Sequence, residues 1–142
     1  MVDTQIRPAD VTKFPIIDAM LRVRREMFVP DDQLETAYSD AILNLGQGRI
    51  ILEPRTFGKM LDAVNIQVNE LVLDLGCGLG YSAAVIGKFS EAVVAIEENL
   101  EMAVEAEKIL AAEGCLNVAV VHGKLIEGAM QHAPFDVIVI EG

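Results

Sequence analysis

From Val72 onward, short apolar runs alternate with longer amphipathic stretches, the pattern of βαβ units that build a parallel sheet. Four runs predict strands: Leu71 to Leu75, Ala92 to Ile96, Val118 to Val121 and Asp136 to Ile140. Each is too short for a helix and rich in valine, isoleucine and leucine, as a strand covered on both faces requires. Three helices are predicted between them, over Tyr81 to Phe89, Leu100 to Glu113 and Leu125 to His132. Asn99 stands where it caps the second, and Gly114 where it ends it.

The first 62 residues follow another pattern. A helix is predicted from Lys13 to about Arg24, then a loop through Val29-Pro30-Asp31-Asp32, a turn around Gly46-Gln47-Gly48, and a helix beginning after Pro54. Prolines 8, 15, 30 and 54 punctuate this stretch, and no internal repeat is visible. About 60 residues make a marginal core alone. Residues 1–62 are therefore expected to be a helical and hairpin cap on the same domain as residues 63–142.

Composition narrows the possibilities. With 142 residues, 52% hydrophobic and 23% charged, the chain suits one globular domain. It contains no apolar run of about 18 residues and no charged-then-apolar leader, so a soluble, cytoplasmic protein with no membrane partner is expected. Cys77 and Cys115 have neither CxxC nor Cys/His metal spacing, which removes a zinc site or disulfide framework. The net charge of −11 argues against a nucleic-acid partner, since such binding needs cations against phosphate. Residues 1–62 carry 8 basic and 10 acidic side chains, but residues 63–142 carry 3 and 12. An anionic substrate is better received by the first part.

The strongest chemical signal is Asp74-Leu75-Gly76-Cys77-Gly78-Leu79-Gly80-Tyr81, with an acid near a strand end, three alternate glycines and a helix start. Glycines permit a sharp turn and close approach of a ligand to backbone, and free N–H groups at the turn are expected to face outward. Seventeen residues beyond Gly80 stands Glu97, at the tip of the second predicted strand and followed by Glu98. A carboxylate there can accept hydrogen bonds from both hydroxyls of a ribose. The dinucleotide fingerprint GxGxxG/A fails at Tyr81 when started from Gly76; started from Gly78 it matches through Gly80 and Ala83, but its first glycine then lies beyond the strand end. Asp74 can order the glycine loop and face the ammonium of a methionine moiety, which NAD lacks. S-adenosyl-L-methionine is thus the expected cofactor, with an NAD-dependent oxidoreductase as the competing reading. Cys77 and Tyr81 line the turn, Tyr81 packing either along the cofactor or in the core.

The stretch VLDLGCGLGYSAAV, Val72 to Val85, resembles motif I of the class I methyltransferases, and that of the protein-L-isoaspartate O-methyltransferases in particular. Ala19-Met20 and Val23-Arg24-Arg25-Glu26-Met27-Phe28-Val29-Pro30 resemble that family's "AM…VPREFVP" element. Ala37-Tyr38-Ser39-Asp40, Leu43 to Gly48 and Pro54 follow in family order. The resemblance implies a Rossmann-like three-layer α/β/α sheet and methylation of the carboxylate of L-isoaspartyl residues in peptides or proteins, a repair reaction. It also brings Gly123-Lys124, after the third strand, to the adenine end of the site, where the family usually has Gly-Asp.

Several positions depart from the family. Its signature threonine and serine are Ile50 and Leu52 here, the glutamine before the proline is Glu53, and the loop after the fourth strand is Glu141-Gly142. Leu52 replaces the family's substrate-site hydroxyl, so no catalytic residue is named and two further readings stand: a methyltransferase with another acceptor, or a non-catalytic cofactor-binding relative. The class I sheet has seven strands and this chain reaches the fourth. An incomplete sheet of order 3-2-1-4 is expected, its last strand an exposed edge open to self-association.

Overall fold

Two strands buried along nearly their whole length organise the chain. In the computed structural model, which describes residues 6, 14–39, 42–46, 48–125 and 134–140, these are β3 (Leu71–Leu75) and β4 (Ala92–Glu97). They pair in parallel, Leu71 opposite Ala92 and Leu75 opposite Ile96. β5 (Val118–His122) joins β4 and β6 (Val137–Ile140) joins β3, both parallel. The order β5-β4-β3-β6 is the predicted 3-2-1-4. Asp136, the first residue of the predicted strand, sits just before the observed one. Its amide donates to the carbonyl of Leu71 at 2.9 Å, and its carboxylate accepts the Leu71 amide at 2.8 Å, which sets the register of the edge. On β6, Ile138 and Ile140 remain 57% and 69% exposed.

Alternation along the strands separates two apolar faces. Val72, Val93, Ala95 and Val139 belong to the main core with residues of all four helices, whereas Leu73, Val94 and Ile96 form a smaller cluster with Leu75, Val121, Leu125 and Phe135. The helices are α1 (Phe14–Arg22), α2 (Pro54–Val64), α3 (Tyr81–Gly87) and α4 (Leu100–Ala112). α2 begins on Pro54, a residue suited to a first helical position because its missing N–H has no partner to lose there. It buries Pro54, Phe57, Gly58 and Leu61 on one stripe, and ends at Asn65 in the left-handed conformation. In α4, the Asn99 side chain accepts the Met102 amide at 3.0 Å, and Gly114 beyond its end has φ +74°, both as predicted. The predicted third helix falls largely on residues 126–133, outside those described.

The described residues among the first 62 pack on this core. The antiparallel hairpin of β1 (Leu43–Gly46) and β2 (Arg49–Ile51) buries its cross-strand pair Leu43 and Ile51. The predicted loop at Pro30 continues as a 3-10 turn over Asp31–Thr36, which proline followed by two aspartates favours. Arg25 lies wholly buried beside Tyr81, its guanidinium carbon 4.7 Å from the ring centroid. It donates to the carbonyls of Ala37 and Leu52, the latter at 2.9 Å. Arg24 instead reaches the C-terminal end of α4 and grips both oxygens of Glu113 at 2.9 and 2.6 Å.

Two expectations test this packing. Gly80 has φ +98°, and a Cβ there would meet Leu110 Cδ1 at 3.1 Å, whereas Gly114 has φ +74° and open space around it. Gly80→Ala should lose about 2 kcal/mol in urea unfolding and Gly114→Ala about 1 kcal/mol; equal losses would remove the packing contribution. The hydrogen bond from Arg24 holds the Glu113 carboxyl below its ordinary range. A depressed carboxylate stabilises above its unfolded pKa and loses that contribution as pH falls through the folded one. The melting-temperature gap between wild type and Glu113→Gln should therefore be small, constant above about pH 5 and closed at lower pH.

Candidate functional site

The glycine turn links β3 to α3 and lies against the tip of β4. Gly76 and Cys77 donate their amides to the Ile96 carbonyl at 2.8 and 3.2 Å, Gly80 donates to the Cys77 carbonyl at 2.9 Å, and Gly78 donates to Glu97 Oε1 at 2.9 Å. The expectation of free amides facing a ligand is thus corrected for these four. Beside a strand-end carbonyl and a buried carboxylate, an unpaired amide would forfeit a hydrogen bond at full desolvation cost, so the turn closes onto β4.

Glu97 is the centre of this arrangement. It has no exposed surface, and its Oε2 accepts the Asn99 amide at 2.9 Å while Oε1 also accepts Arg49 Nε at 2.7 Å. Arg49 comes from β2, and its side chain is 13% exposed. A Cβ on Gly76 would lie 3.5 Å from Arg49 Nε, and one on Gly78 would lie 2.7 Å from Leu45 Cδ1. The hairpin therefore lays an arginine and a leucine over the turn, against the carboxylate expected to hold a ribose. Neither residue stood out in the sequence; the only signal was that the basic residues concentrate in the first 62 positions.

Asp74 is also wholly buried, and its Oδ2 accepts the hydroxyl of Ser82 at 2.6 Å. This bond ties the end of β3 to the first turn of α3, the loop-ordering role predicted for Asp74; Ser82 itself was not anticipated. The register of β3 and β4 sets Asp74 opposite Ala95, so the two acids rise from neighbouring strands on either side of the turn.

The remaining candidates divide. Tyr81 packs in the core, 1% exposed, its ring 6.0 Å from that of Phe28 and 5.8 Å from that of Phe57, and is not at the turn's surface. Cys77 is buried in the turn, and burial, with Asp74 and Glu97 close by, pushes its thiol far up, away from nucleophilic use. Glu98 is exposed and accepts the Leu125 amide at 2.8 Å. The Gly123 amide donates to the Glu97 carbonyl at 3.1 Å, which brings Gly123 to the β4 tip, with the exposed Lys124 beside it. The His122 ring nitrogen lies 2.9 Å from the Glu98 carbonyl, and His132 falls outside the described residues.

Other features carry less chemistry. A cavity of about 430 Å³ between α1 and the end of α2 is lined by Pro15, Ile16, Leu61, Ile66, Val68 and Phe89 among others, with no ionisable side chain. It lies away from the turn and offers nothing to a charged cofactor. Among the described residues no cluster of His, Cys, Asp and Glu is placed for a metal, and no helix is long and apolar enough to cross a membrane.

The profile of the protein-L-isoaspartate(D-aspartate) O-methyltransferase family matches residues 1–142. A protein-L-isoaspartate O-methyltransferase of Gloeobacter violaceus is 38% identical over 140 residues, 99% of this chain and 68% of the relative; one from Synechococcus sp. is 34% identical over the same share of this chain and 57% of its own length. The chain thus spans between about half and two thirds of these relatives. A solved protein-L-isoaspartate O-methyltransferase superposes with a TM-score of 0.85 at 26% identity, over 95% of this chain and 45% of that one. A Plasmodium falciparum structure, described as a protein of the same kind in complex with S-adenosyl-L-homocysteine, shares the fold at TM-score 0.78 and 17% identity. With a profile match along its whole length, the chain belongs to the protein-L-isoaspartate(D-aspartate) O-methyltransferase family.

Proposed function

We propose that this chain forms the cofactor-holding half of an S-adenosyl-L-methionine-dependent methyltransferase acting on the carboxylate of L-isoaspartyl residues in peptides or proteins. The observation that carries the reading is the convergence of Glu97 and Asp74 on one glycine turn, both wholly buried, at the ends of adjacent parallel strands. The carboxyl ends of adjacent parallel strands are where nucleoside ligands sit in open α/β sheets. The residues fit the group. Glu97 is the ribose acceptor, the missing Cβ atoms of Gly76 and Gly78 allow close approach to the turn, used here by Arg49 and Leu45, and Gly123 with Lys124 and Glu98 borders the adenine side.

When bound beside Glu97 and the glycine turn, the cofactor would supply a methyl group on a sulfonium, with the thioether sulfur as leaving group, for a carboxylate oxygen to receive. The protein's part is to align the two in a line and exclude water, and positioning alone accounts for much of such a rate. The nucleophile is already ionised at neutral pH, so no general base is required, and neither His122 nor Cys77 has a role in the transfer.

A second reading, a relative that keeps the cofactor and has lost isoaspartyl turnover, is favoured by one observation. Leu52, at the position of the family's signature serine, is partly buried and packs against the main core, so it offers no hydroxyl to an acceptor. Two measurements separate the readings. Isothermal titration of the full-length protein with S-adenosyl-L-homocysteine should give micromolar binding, and no heat at high micromolar ligand would defeat both. Methyl transfer to an isoaspartyl peptide should be weak and rise at least tenfold in Leu52→Ser; binding without any gain from the serine would leave only the second reading.

A further inference from the structure

We infer that Arg49 competes with the ligand's ribose for Glu97, and so sets how tightly this site takes an adenosyl group. The inference rests on the proposed function and extends it to a residue of the hairpin. Three observations carry it. Glu97 is completely enclosed, and its accepting positions are held by Arg49 Nε at 2.7 Å, the Gly78 amide at 2.9 Å and the Asn99 amide at 2.9 Å. The two amides belong to the turn and to the cap of α4, and cannot leave without unmaking both. Arg49 sits on a two-stranded hairpin whose register is already broken by a bulge between Asn44 and Gly46, and it alone of the three donors can withdraw while the sheet stays intact. Finally, Arg49 and Leu45 lie against the very glycines that leave room beside the turn, 3.5 and 2.7 Å from where Cβ atoms of Gly76 and Gly78 would be.

The chemistry of the exchange is conservative. A buried carboxylate needs donors, and a guanidinium satisfies it in the closed form as ribose hydroxyls do in the liganded one. Ligand binding therefore breaks the Arg49–Glu97 pair and lifts Leu45 from Gly78, and the cost of both appears as lost affinity. In this respect the hairpin is an internal stand-in for the adenosyl group. The hydroxyl bonds that replace it are also charge-assisted by the carboxylate but lack the cation's Coulomb attraction, so the ion pair opposes the exchange.

Isothermal titration of the full chain with adenosine and with S-adenosyl-L-homocysteine tests it, using wild type, Arg49→Met and Arg49→Lys, with circular dichroism to establish folding. Arg49→Met should bind both ligands at least tenfold more tightly, and Arg49→Lys, which keeps a cation for Glu97, should stay within about threefold of wild type. Should Arg49→Met fail to fold, Leu45→Ala reads the same hairpin and should also bind more tightly. Equal affinity in wild type and Arg49→Met, or weaker binding in the latter, overturns the competition while leaving the cofactor reading intact. Absence of binding in every variant overturns the cofactor reading itself and the inference with it.

Discussion

A carboxylate with no exposed surface must be met by donors on every side, and the tip of β4 is built around that requirement at Glu97. An uncompensated buried charge costs several kcal/mol, so the three groups that answer it are held in place as firmly as the acid. One is the amide of Gly78, which fixes the crest of the turn after β3. Another is the amide of Asn99, whose side chain caps α4, so the start of that helix is tied to the same point. The third is Arg49, which brings the N-terminal hairpin down onto the Rossmann-like core. Turn, helix and cap thus meet at one side chain, and the geometry of the crevice follows from satisfying it.

Asp74 does the corresponding work on β3 through the Ser82 hydroxyl. Because β3 and β4 pair in strict parallel register, the two acids keep a constant relation to the turn between them. The cap contributes a different kind of support. Arg25, buried against Tyr81 and bonded to the carbonyls of Ala37 and Leu52, closes the loops on either side of the hairpin around a single guanidinium. A change at Leu52 that keeps its backbone in place leaves that bond intact, which is why the signature serine can be lost without loss of the scaffold.

The parallel core was legible because its determinants are local. Leu71–Leu75 and Ala92–Glu97 are apolar runs of strand length, Asn99 and Gly114 bracket a helix by their own backbone preferences, and the alternate glycines mark the turn. The strand order followed from the family resemblance. The occupancy of the crevice was not legible. Arg49 and Glu97 are separated by 48 positions, and nothing in periodicity or composition reveals which of eight basic side chains in the cap meets that acid. The same limit applies to Tyr81, whose place next to the glycines in sequence suggested the cofactor, while the helical turn that begins there rotates its ring toward Phe28 and Phe57. The outward-facing amides were misjudged for a related reason, since the Ile96 carbonyl that takes two of them comes from a neighbouring strand.

Most departures from the family pattern lie on the hairpin or just after it, at Ile50, Leu52 and Glu53, whereas Gly123-Lys124 departs beside the tip of β4. The glycine turn and the strand tips are built from backbone and buried acids whose replacement would leave charges or amides unsatisfied. Ile50 lies on β2 and Leu52 just after it, where the side chain can change while the Leu52 carbonyl keeps its bond to Arg25, though Leu52 also packs against the main core. Arg49 stands at the boundary between hairpin and turn, on the hairpin by chain connection and at the β4 tip by its ion pair. On the proposed competition, a residue so placed would couple the hairpin to whatever meets Glu97: a ligand that replaced Arg49 would free β2, the strand that Leu52 directly follows.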